Sequence, residues 1–75
     1  MRCMLIKKID DVLSEIEPFG TEEKAITTLK DRYDAEVKEI EDSGKSMKSY
    51  EFNYSEKEAS ILYKRQKKLV VWKII

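Results

Sequence analysis

The chain has 75 residues, 41% of them hydrophobic and 40% charged, and its fifteen basic and fifteen acidic side chains cancel. That apolar content takes it out of the disordered class. Its length allows one domain, residues 1–75, whose core supplies no more than roughly 3 to 5 kcal/mol, so a homo-oligomer is expected. With no His and one Cys, intramolecular disulfides, Cys-pair metal sites and the common catalytic kits are excluded, and neither a glycine-rich phosphate loop nor a Gly-x-Ser-x-Gly motif is present.

The neutral total hides an asymmetry. Residues 1–44 carry seven Lys or Arg against twelve Asp or Glu, a net of −5, while residues 45–75 carry eight against three, a net of +5. Charged residues from Lys7 to Asp11 interrupt the N-terminal apolar residues before a signal peptide could form, and no apolar run approaches the ~20 residues of a membrane span. The lone Cys3 suits a reducing compartment, so a cytoplasmic location is expected.

In chain order, Leu5, Ile9, Val12 and Ile16 recur at helical spacing and predict a first helix over about 3–17, ended by Pro18-Phe19-Gly20. Thr21 is an N-cap candidate, with Glu22 and Glu23 at the positive end of the next helix. Ile26, Leu29, Tyr33, Val37 and Ile40 form one stripe, which predicts a second helix over about 22–42, stopped by Ser43-Gly44. Over 47–54 we expect an extended aromatic connection, because Tyr50, Phe52 and Tyr54 alternate with Glu51 and Asn53 in the period of a half-buried strand. A sevenfold spacing from Ile26 to Ile61 could suggest one long coiled coil, but Gly44 and a broken companion seam argue against it.

Ser55-Glu56-Lys57-Glu58 matches a capping box and predicts a third helix over about 56–72, with a basic face from Lys64 to Lys68. On that helix Ile61, Val71, Trp72 and Ile75 form a second apolar face that a monomer would leave wet. The resulting expectation is an all-α, three-helix domain packed as a bundle. The competing expectation is an α+β fold with strands at 50–54 and 69–75, favoured by the β-branched residues there.

Acidic pairs such as Asp31 and Asp34, or Glu36 and Glu39, lack a third ligand and read as a solvated helix face, and Cys3 reads as an inert thiol. Neither an enzyme, a metal nor a cofactor is expected. The expected function is a protein-binding module that occupies a partner surface. Tyr63, Val71, Trp72 and Ile75 would anchor it, while Arg65, Lys67 and Lys68 steer an acidic partner. The runner-up is a small nucleic-acid-binding regulator that uses the same basic residues, with Tyr63 or Trp72 available to stack on bases. A membrane surface ranks last, and the charges could also simply answer the acidic second helix.

Overall fold

A computed structural model describes residues 3–75 and places one helix across one face of a five-stranded antiparallel sheet. Strands β1 (Cys3–Ile9) and β2 (Val12–Phe19) form a hairpin. Helix α1 (Glu22–Asp42) follows, and a 3-10 turn (Met47–Ser49) leads into the meander of β3 (Tyr50–Tyr54), β4 (Glu58–Tyr63) and β5 (Lys68–Ile74). The sheet order is β2-β1-β5-β4-β3. The first and last strands therefore pair in the middle, Leu5 opposite Ile74 and Lys7 opposite Trp72. α1 carries the chain from one sheet edge to the other.

The all-α bundle is overturned, and the α+β alternative fits. Residues 3–17 form the hairpin instead of a helix, because Asp10 and Asp11 both adopt positive φ (52° and 65°). That geometry gives the two-residue turn whose twist suits a hairpin. The helical spacing misleads because the two strands send apolar residues to both sides of the sheet. Leu5 and Ile9 lie on the helix side, and Ile6 and Ile16 on the other. The register shifts between Lys7 and Lys8, where β2 accommodates an extra residue as a bulge.

The third helix and its basic face are likewise absent. The Ser55 amide and hydroxyl both donate to the Glu58 carbonyl, at 2.7 and 2.8 Å, so the apparent capping box closes the β3–β4 hairpin. Gln66 donates to the Tyr63 carbonyl and Lys67 takes a φ of 51°, turning the chain between β4 and β5. Without Gly, Pro or Asn, that turn carries no ordinary sequence mark.

Only the second helix forms as expected. The Thr21 hydroxyl accepts the Lys24 amide at 3.3 Å, and Gly44 follows the helix with φ 74°. Ala25, Leu29 and Ile40 are buried on its inner side. Strand alternation sends Leu5, Ala59, Ile61, Tyr63, Val70 and Trp72 up to meet them. Tyr33 reaches the edge of Trp72 with ring centroids 6.1 Å apart. The basic Lys7 also lies on this side and stays above the core by placing its ammonium over the Trp72 ring, 5.6 Å from the centroid.

Candidate nucleic-acid interface

At the end of the sheet reached by the C-terminus of α1, the 3-10 turn and the β4–β5 turn come together. The Lys64 amide donates to the Ser49 carbonyl at 3.0 Å. This bond sets Lys48 of the 3-10 turn beside the basic run Lys64-Arg65-Gln66-Lys67-Lys68. A cavity of about 460 Å³ opens between the two segments, walled by Lys45, Ser46 and Ser49 on one side and Arg65 and Gln66 on the other, with the Tyr50 and Tyr63 rings at its base.

Lys45, Lys48, Lys64, Arg65 and Lys67 are exposed. Lys68 is half-buried and holds its ammonium 5.2 Å from the Tyr63 ring centroid. Among the described residues the ion pairs lie elsewhere: Arg32 of α1 with Glu15 and Glu17 of β2, and Lys57 with Glu22. Among the described residues the acidic helix is thus answered by Lys57, at Glu22, and not by the basic turn. α1 has no basic residue in its last turn, and Lys45 is the first cation in the chain beyond the negative end of the helix dipole.

Tyr63 ties the floor of this end to the helix. Its hydroxyl donates to Glu36 Oε1 at 2.5 Å. Burial first, and then that carboxylate, push the phenol well above the usual tyrosine range. A neutral phenol donating to a carboxylate is a strong, directional link, and it joins the base of the cavity to the helix. Asp10 serves the same end, accepting the Leu69 amide at 2.9 Å and fixing the first hairpin to the start of β5.

The residues singled out in the sequence part company here. Arg65, Lys67 and Lys68 fall together at the basic end. Trp72, at 2% exposure, and Tyr63, at 8%, are core, so neither presents a surface to a partner or stacks on a base. Val71 points to the opposite face of the sheet, half-buried, and Ile75 lies exposed beyond β5 at the other end. The second apolar face imagined for a third helix is therefore split, Ile61 and Trp72 going to the core and Val71 and Ile75 outside it. Lys45 and Lys48 were missed as site residues. Their only signal was membership of the +5 half of the chain.

Among the described residues, no group of three or more His, Cys, Asp or Glu could hold a metal ion, and no helix is long and apolar enough to cross a membrane. No family model, curated protein or solved structure matches the chain.

Proposed function

We propose that the chain is a non-catalytic binding module of the cytoplasm that grips the phosphate backbone of a nucleic acid with its basic end. One observation carries this reading: the fold brings Lys48 to Lys64 and Arg65 from a distant segment, and no acidic partner for them lies among the described residues. Clustered, unpaired cations release counterions from a polyanion, which is the main source of backbone affinity. The aromatic rings of this end are buried beneath the cations. Contact is therefore with phosphates and is indifferent to base sequence. The buried free thiol of Cys3 suits a reducing compartment.

Fluorescence anisotropy with a short random-sequence duplex tests this reading. Log affinity should fall with log salt by ~0.9 for each phosphate neutralised, and the Lys48→Ala, Arg65→Ala double variant should lower that slope by roughly two phosphates. No binding at low salt, or a slope unchanged in the double variant, overturns it.

A protein partner is the second reading, favoured by a separate observation. Met4, Leu13, Ile16 and Ile75 are exposed, and the strand register gathers them on the sheet face that lacks a helix.

A further inference from the structure

The helix covers one face of the sheet, and the strand registers define the other. Its successive rows across the strands are Pro18, Met4 and Ile75; Ile16, Ile6, Lys73 and Glu58; Leu13, Lys8, Val71, Ser60 and Asn53; and Leu69, Leu62 and Glu51. A shallow depression lined by Ile6, Lys8, Glu58, Val71 and Lys73, with Asp11 of the adjoining turn, puts five of these side chains on one surface. Apolar residues dominate on β2, β1 and β5. Ile6 is already buried among its neighbours, but Leu13 is 49% exposed and Ile16 54%, so the stripe stays open on β2.

We infer that this open face is the contact between two copies of the chain, packed sheet against sheet. The inference rests on the second reading above and narrows the partner to a second copy. Three observations favour that occupant. First, area: five strands ~4.8 Å apart and about seven residues long at ~3.3 Å each cover on the order of 500 Å² per copy before side-chain relief is counted. Two such faces together reach the ~1,000 Å² that a specific interface requires. Second, shape: a pleated sheet is the natural complement of another, with their side chains interleaving across about 10 Å.

Third, charge: Lys8 and Lys73 on this face are offset by Glu51 and Glu58, with Asp11 of the β1–β2 turn at its margin. A face of interspersed charges and little net charge meets its own copy with little repulsion and offers little to steer a strongly acidic or basic partner. The lysines flank the apolar stripe with long aliphatic stems, which can lie along it while the ammonium groups reach the rim. The basic end lies at the end of the sheet and stays free, so pairing leaves both phosphate sites open.

Sedimentation equilibrium over a wide concentration range tests the inference. The wild-type chain should associate to a dimer. Ile16→Glu should raise the dimer dissociation constant by about tenfold or more, because it carries a charge into an apolar contact. Ile16 is half-exposed in the single chain, so the variant should keep its far-ultraviolet circular dichroism. Lys30→Glu, on the exposed side of α1, should leave the dimer unchanged. Methyl resonances of Leu13, Leu62 and Val71 should shift on dilution, with those of Leu29 unmoved.

A dimer that survives Leu13→Glu with Ile16→Glu overturns this face as its contact. A chain that is monomeric at every concentration overturns the second copy, and an apolar dye then separates the two readings. Dye binding abolished by the double variant keeps the face as a docking surface for another protein, whereas no dye binding removes that reading too. Neither result bears on the phosphate site, whose readout is the salt slope.

Discussion

The two faces of the sheet are made from the same strands and the same residue types, yet only one is finished. On the helix side Leu29 and Ile61 are fully buried, Trp72 is 2% exposed, and the Lys7 that intrudes is held over an aromatic ring. On the open side Ile16 is 54% exposed, and lysines and glutamates are interspersed among the apolar residues. Stability comes from the first face and surface for a partner from the second. With one helix to cover five strands, the chain can close only one side.

Adjacent residues of β5 give the largest test of that division. Trp72→Ala should cost about 3 to 5 kcal/mol, enough to unfold most of a domain this small, while Val71→Ala, one residue earlier on the other face, should cost about 1 kcal/mol or less. Urea denaturation of dilute protein checks both. Equal costs would mean that the open face is as much core as the helix side.

This division was only partly legible in the sequence. The helix could be read because every local signal agreed: the Thr21 cap, the acidic first turn, a single apolar stripe and Gly44 at the stop. The β3 alternation of Tyr50, Phe52 and Tyr54 was readable as well. Elsewhere, strands with apolar residues on both faces lost their period-two pattern, and Leu5, Ile9, Val12 and Ile16 then imitated a helix. The turns at Asp10-Asp11 and at Lys64 to Lys67 place non-glycine residues in the left-handed region, so the usual punctuation was missing. Ser55 and Glu58 have capping-box spacing but meet across a hairpin turn. For the site, the basic run was visible locally. Its union with Lys48 depends on the backbone bond between Lys64 and Ser49, which no local pattern announces.

The bond from Tyr63 to Glu36 joins the helix to the sheet, and its loss should have an effect of middle size. Tyr63→Phe removes a hydrogen bond to a charged group, costing about 1 to 2 kcal/mol at neutral pH. The phenol is held above its ordinary value by burial and by Glu36, so the folded chain binds more protons than the unfolded one at alkaline pH. Its contribution is complete below the ordinary tyrosine value of ~10 and is lost as pH rises through the higher folded value. Denaturant titrations at neutral and strongly alkaline pH should therefore show stability falling in the wild type and falling less in Tyr63→Phe. Tyr33, raised by burial and then by Asp34, leaves a residual slope. An alkaline fall as steep in the variant would remove Tyr63 as its source.

The smallest effect has the opposite sign. Asp10 and Asp11 both sit at positive φ, but only Asp10 also uses its side chain, accepting the Leu69 amide that ties the hairpin to β5. Asp11 bears the left-handed conformation without such a bond among the described residues. Asp11→Gly should therefore relieve strain and complete the Asp-Gly pair that this turn prefers, raising stability by about 0.5 to 1 kcal/mol. Asp10→Gly relieves the same strain but leaves the Leu69 amide without its acceptor, so it should give no gain or a loss. Thermal unfolding of the two variants side by side makes the comparison, and a gain from Asp10→Gly as large as that from Asp11→Gly would show the Asp10 carboxylate to be idle. Asp11→Gly also removes a negative charge from the end of the sheet that carries the cations. If those cations grip phosphates, the more stable variant should bind the random duplex slightly more tightly at low salt, with the difference fading as salt screens it.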